Sequence, residues 1–218
     1  MIIPTRIDLK QWYEDQAQMF PPGDFSRRVM YAHQHQVTRL ERLLEILVEN
    51  SLTGSGASCL EIGCSEGYMT ERLSPLFGQI TAIDISETSI RRAPDLPNVD
   101  YEAVAVEEFF HESDDEEWTI AILSEVLEHL PAPVSTLREV GAHVEYVLFS
   151  CPINERPNPM AFSLDLLGHE TAIGDASGHI WSPDLEMLQR WAHDAGQTIV
   201  HVDVSGVTGI VLAKGELE

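Results

Sequence analysis

Leu60-Glu61-Ile62-Gly63-Cys64-Ser65-Glu66-Gly67 decides how the rest of the chain is read. A short apolar run, Cys59 to Ile62, stops at a glycine, and a turn of small residues then opens a helix over about 68–77. Glycine at such a turn permits positive φ and lets a ligand approach the backbone, while the helix start offers N–H groups without intrahelical partners. The next apolar run, Ile80 to Ile83, ends in Asp84, roughly 20 residues downstream of the turn, where a carboxylate can accept hydrogen bonds from both hydroxyls of a ribose. The turn reads Gly63-x-Ser65-x-Gly67 and lacks the longer Gly-x-Gly-x-x-Gly spacing that seats a pyrophosphate. The ligand expected therefore carries a ribose and no diphosphate.

Outward from this turn the alternation continues. Ser86 is an N-cap for a helix to Arg92. Val99–Val106 reads as a third strand, Trp118–Leu123 as a fourth and Tyr146–Phe149 as a fifth, with a helix within 131–140. Thr198–Val204 and Gly209–Ala213 close the chain as an antiparallel pair. Short apolar runs alternating with helices indicate a parallel sheet covered on both faces. Upstream, residues 8–20 and 25–49 read as helices, the second with Leu40, Leu43, Leu44 and Leu47 at helical spacing, and Ser51–Ser58 reads as a loop. Ser182-Pro183 is expected to open a helix to about Ala195, with Ser as cap and Pro at the first helical position. The fold class is α/β: a Rossmann-like, seven-stranded, mainly parallel sheet with helices on both faces and an antiparallel last strand. Residues 1–50 form a helical extension, and 51–218 form the main domain. The insertion 152–181, rich in Pro, Gly and His, would lie over the carboxyl edge of the sheet and roof it together with that extension.

Composition narrows the partners. The 218 residues hold 13 Lys+Arg against 36 Asp+Glu, a formal net charge of −23, and the only lysines are Lys10 and Lys214. Neutralising phosphates needs clustered basic residues, so nucleic acid is a disfavoured partner. No run of about 18 apolar residues is present to span a membrane, and the N-terminus lacks a secretory pattern. Cys59, Cys64 and Cys151 cannot all pair, and a reducing cytoplasm is the expected location. Cys64 reads as a packed small residue.

Leu60–Gly67, then Asp84, then Ser124-Glu125-Val126-Leu127-Glu128-His129-Leu130 in this order and spacing resembles the class I S-adenosylmethionine-dependent methyltransferases. Within them it is most similar to the small ubiquinone-biosynthesis-type and nodulation-type enzymes, over about Ser58 to Ala213. The resemblance implies S-adenosylmethionine as cofactor and a small-molecule acceptor methylated on O or N. It implies that Glu61 orients the turn and reaches the cofactor's amino group, and that Gly63, Cys64, Ser65 and Gly67 line the methionine part and the ribose. Asp84 would hold the ribose hydroxyls, Ile85 would pack on adenine, and Val104, Ala105 and Val106 would flank it. Ser124 and Glu125 would sit beside the methionine and the sulfonium. The chain departs from the family at Ser65, where a glycine is usual, and at Ala105, where an Asp often bonds the adenine amino group. A bulkier residue at Gly63 would then occupy the cofactor's space in a folded protein.

Glu125, Glu128 and His129, at spacings of three and four, are expected on one face of a short helix at the site's mouth. If His179 folds over that face, two carboxylates and two imidazoles converge, a set that partly resembles the metal site of the Hen1-type small-RNA 2′-O-methyltransferases. Metal-assisted RNA methylation and a non-catalytic cofactor-binding domain are therefore the alternative functions, with Glu125, Glu128, His129 and His179 as the alternative metal ligands. Without a metal, His129 or His179 is the candidate general base, with Glu125 beside them. His33, His35, Trp12, Tyr13 and Tyr31 lie where an N-terminal lid or simple helix packing would use them, and Phe109 and Phe110 read as core.

Overall fold

The computed structural model describes residues 9–19, 34–112, 117–153, 179 and 181–215. Helix α1 (Leu9–Met19) and helix α2 (Gln34–Glu49) precede the sheet. Strands β1 (Gly54–Ile62), β2 (Phe77–Asp84), β3 (Val99–Ala103), β4 (Trp118–Ser124), β5 (Val144–Pro152), β6 (Thr198–Ser205) and β7 (Thr208–Lys214) form one sheet in the order β3-β2-β1-β4-β5-β7-β6. All neighbours are parallel except β7, which runs antiparallel to both β5 and β6. The α/β class and the single reversed strand expected from the alternation are what the structure shows.

Alternate side chains of each central strand feed two cores, which is why apolar residues occupy both faces of these strands. Leu60, Ile62, Ala121, Leu123, Val147 and Phe149 face α5 (Val106–Glu112), α6 (Pro133–Ala142) and α7 (Leu185–Asp194), which supply Phe109, Phe110, Leu137, Val140, Leu188 and Trp191. Cys59, Ile80, Ala82, Ile120, Ile122 and Leu148 face the other way, under Leu43, Ile46 and Leu47 of α2 and Leu73 of the one-turn helix α3 (Thr70–Leu73). Phe109 and Phe110 are core residues, as expected.

Several boundaries differ from expectation. Strand β1 begins at Gly54 within the expected loop, because Gly54 already pairs with Phe77 ahead of a register shift. The helix expected over 68–77 is only α3 plus a 3₁₀ turn at Ser74–Leu76, and Phe77 starts β2. Strand β3 ends at Ala103; Val104 and Ala105 lie in the turn and Val106 begins α5. Asp84 pairs with Ala103, and the Val104 N–H donates to the Asp84 carbonyl, so the ladder stops where β2 stops. The cap of α7 is Asp184, whose carboxylate accepts from Met187 N at 2.7 Å, not Ser182. Ser86 does cap the short helix α4 (Glu87–Ile90), accepting from Ser89 N. Residues 25–33 of the second expected helix and 154–178 of the insertion, with His33 and Tyr31, lie outside the described residues. Among the described residues no helix is long and apolar enough to cross a membrane.

Candidate active site

Strand order places the topological switch between β1 and β4, with β2 on one side and β5 on the other. In open α/β sheets a crevice for ligands opens there, beyond the carboxyl ends of the strands. Ile62 is level with Ile83 and with Leu123, so Gly63, Asp84 and Ser124 leave the sheet side by side.

The glycine turn is held by backbone bonds. Gly63 N and Cys64 N both donate to the Ile83 carbonyl, at 2.8 and 3.1 Å, and Gly67 N donates to Cys64 O at 2.9 Å. Ser65 takes φ 52°, and its N–H donates to Asp84 Oδ2 at 2.9 Å; Ser86 N donates to Asp84 Oδ1 at 2.8 Å. An ionised carboxylate offers about four lone-pair sites, so Asp84 keeps capacity for two further donors. Burial pushes its pKa up, and the Ser86 and Ser65 amides oppose that shift. Gly63 and Gly67 both have φ 75°. A Cβ on Gly63 would stand 2.5 Å from Val126 Cγ2, and one on Gly67 would meet Pro94 at 2.7 Å and the Tyr101 hydroxyl at 2.9 Å. The space over Gly63 is thus filled by protein. This corrects the expectation that a larger residue there would intrude only on a ligand. Cys64 is buried, and burial raises its thiol pKa, consistent with packing.

Beneath the turn, Glu61 is 1% exposed and its Oε2 has no hydrogen-bond partner among the described residues. Burial pushes its pKa up to about 8, against the Thr70 hydroxyl. It stands under the turn it was expected to orient.

Across the switch, the expected helical face does not form. Glu125 has φ 59°, donates its N–H to Ser150 O at 2.9 Å and turns its carboxylate to Arg39 Nη1 of α2, also 2.9 Å away. The 3₁₀ turn that follows covers only Leu127–His129. Glu128 is fully buried beside the Cys151 thiol, and neither of its carboxylate oxygens accepts a hydrogen bond among the described residues. Its pKa is driven well up by burial and by the Glu125 charge. His129 Nε2 and His179 Nε2 each lie 3.9 Å from Glu128 Oε1, and the two rings meet edge to face at 4.8 Å. His179 is brought there by Trp181, whose backbone N–H donates to Glu128 O at 3.0 Å and whose indole N–H donates to Leu130 O at 2.8 Å. Ligating atoms of Glu128, His129 and His179 all fall within 4.8 Å of one another, while Glu125 is drawn away to Arg39. Three of the four residues expected to converge do so. Ser124 sits at the end of β4, its hydroxyl 3.3 Å from that of Ser150.

Helix α1 spans both sides. Glu14 accepts from Ser86 Oγ at 2.9 Å, from Thr88 N at 3.2 Å and from the Thr88 hydroxyl, and these bonds, the Thr88 hydroxyl first, hold its pKa down at about 2. Arg92 Nη1 donates to Ala17 O at 2.6 Å and pairs with Glu66 of the glycine turn at 3.1 Å. Tyr13 lies edge-on to His129, ring centroids 5.9 Å apart. Its pKa is pushed far up by burial, then by the Glu128 and Asp84 charges. Arg39 and Glu14 escaped the sequence reading. The signal for Arg39 was an arginine flanking the leucine stripe of α2, where it is 6% exposed.

The sequence matches the family described as "Methyltransferase domain" over residues 31–202. It is 31% identical over 171 residues to a protein of Xanthomonas euvesicatoria called ubiquinone biosynthesis O-methyltransferase, covering 73% of this chain and 70% of that one. The protein of the same name from Bordetella parapertussis is 33% identical over 118 residues, and the chain spans about half of its length (50% of this chain, 48% of that one). In structure the chain resembles N-methyltransferase NodS from Bradyrhizobium japonicum, solved with S-adenosyl-L-homocysteine, at TM-score 0.68 and 15% identity, over 96% of this chain and 100% of that one. With the family match running across the glycine turn, Asp84 and the Glu125–Leu130 segment, the chain belongs to the methyltransferase-domain family.

Proposed function

We propose that the chain binds S-adenosylmethionine across the switch between β1 and β4 and methylates an oxygen or nitrogen of a small molecule. The observation that carries this is Asp84, held by two backbone N–H groups at the strand tip with lone pairs to spare beside a glycine turn. When bound, the cofactor supplies a methyl group on a sulfonium, open to in-line displacement. The chain's formal net charge of −23 favours a cationic ligand over a phosphate.

Asp84 would hold the ribose hydroxyls, with Ile85, Val104, Ala105 and Val106 as the adenine wall. Ser65 would join the cradle of the methionine tail, and Ser124 would border the reacting zone. Glu125, neutralised by Arg39, shapes the floor. His129 or His179 takes the proton from the acceptor, while α1 and the segment around Trp181 keep water out. The N-terminal region to residue 50 serves as the lid. Free, buried Cys59, Cys64 and Cys151 suit a reducing cytoplasm. A second reading rests on the Glu128–His129–His179 cluster, whose donor set suits a divalent cation that would polarise the acceptor oxygen.

The test is S-adenosylmethionine with a pooled small-metabolite extract, read by mass spectrometry for a gain of one methyl group. A methylated product lost in His129→Gln or His179→Gln supports the reading. Turnover abolished by chelation and restored by a divalent metal selects the second reading. Absence of any methylated product, with tight S-adenosylhomocysteine binding, would leave only a cofactor-binding domain.

A further inference from the structure

We infer that Tyr13 is a positioning residue for His129, delivered by α1 from a dock built on the Asp84 turn. This rests on the reading above, in which His129 faces the reacting atoms.

His129 stands at the end of a single 3₁₀ turn, and its ring has two aromatic neighbours at steep angles. His179 lies 4.8 Å away at 65°, and Tyr13 lies 5.9 Å away at 79°. Edge-to-face pairs have a preferred geometry, so two of them on one imidazole restrict its rotation. His179 is secured through Trp181 to the backbone of the same turn. Tyr13 is secured from the opposite side of the crevice. Its neighbour Glu14 accepts from Ser86 and Thr88, and Ser86 N in turn donates to Asp84. One turn further on, Ala17 is tied through Arg92 to Glu66 in the glycine turn. The turn that presents Asp84 to the ribose therefore also anchors, through Ser86 and Thr88, the helix that orients the imidazole. Cofactor binding and His129 geometry become linked through α1, with no contact needed between Asp84 and His129.

The test uses the full chain and two readouts. In histidine-labelled protein, the His129 ring signals, assigned through His129→Gln, report the Tyr13 ring directly. Tyr13→Ala should shift them, Tyr13→Phe should leave them nearly in place, and Glu14→Gln should shift them in the same direction as Tyr13→Ala but less. With S-adenosylmethionine and the pooled extract, Tyr13→Ala should lower kcat on the order of 10-fold to 100-fold, the scale of a misplaced reacting group, with S-adenosylhomocysteine affinity within about twofold and Tyr13→Phe restoring the rate. Unmoved His129 signals in Tyr13→Ala, or a Phe variant as slow as the Ala variant, would overturn the inference. If His129→Gln itself turns over normally while Tyr13→Ala still moves the ring signals, the assignment of His129 to the reaction fails and the positioning contact stands.

Discussion

The two sides of the crevice are built by different means. On the β1–β2 side, the Gly63–Gly67 turn and Asp84 are fixed almost wholly by backbone N–H and C=O groups, from residues close in sequence. On the β4–β5 side, Glu128, His129 and His179 are held by ring edges, burial and a Trp181 stitch across roughly 50 residues of chain, and Glu125 is tied off by Arg39. On the first side the Asp84 carboxylate is met by two backbone N–H groups, and Glu61 Oε2 beneath the turn lacks a partner among the described residues. On the second, neither carboxylate oxygen of fully buried Glu128 has a hydrogen-bond partner among the described residues. Helix α1 is the element that touches both.

The largest effect should come where the two sides abut. Gly63→Val forces a side chain against Val126 at a positive φ, and should destabilise the fold by about 4 kcal/mol, from strain and overpacking together. Denaturant unfolding checks this; an unchanged midpoint with lost cofactor binding would restore the open-groove view of that glycine. A smaller and more local loss should follow on the binding side. Asp84→Ala should weaken S-adenosylhomocysteine binding by about 1.5–3 kcal/mol, the scale of hydrogen bonds to a charged group. Calorimetry with unaltered affinity would remove Asp84 from the site.

Smallest per pH unit is the effect of Glu61. Its pKa of about 8 in the fold stands above its ordinary 4.5, so between these values the folded chain holds a proton that the unfolded chain has released. Stability therefore falls as pH rises through that window, by no more than about 1.4 kcal/mol per pH unit for one proton. Asp84 and Glu128, also raised, act with the same sign. Glu14, held low, acts oppositely and loses its contribution only as pH falls from its ordinary 4.5 toward about 2. Glu61→Gln should flatten the decline in urea midpoint over roughly pH 5–8. An undiminished slope would mean that Glu61 is ionised in the fold.

Legibility in the sequence followed the same division. The carboxyl ends of β1 and β2, the glycine turn between them and the Ser86 cap were readable because short spacings and apolar runs encode them. His179 was readable only as a conditional partner, since nothing local shows that Trp181 will bind Glu128 and Leu130. The shared helical face of Glu125, Glu128 and His129 was misread because a positive φ at Glu125, paired to Arg39 and Ser150, breaks the helical period before it starts. Strand β3 was drawn too long because Val104 and Val106 are apolar for the sake of the α5 core rather than the ladder. The docking of α1 through Glu14 was invisible, as an exposed-looking acid carries no sign of the helix start it will meet 72 residues on.

The most direct test is a crystal structure of the chain soaked with S-adenosylhomocysteine. The account predicts both ribose hydroxyls within hydrogen-bond distance of the Asp84 carboxylate, and the sulfur on the side of the crevice facing His129 and His179. A ligand bound elsewhere, or a crevice closed to it by side chains, would contradict the central claim.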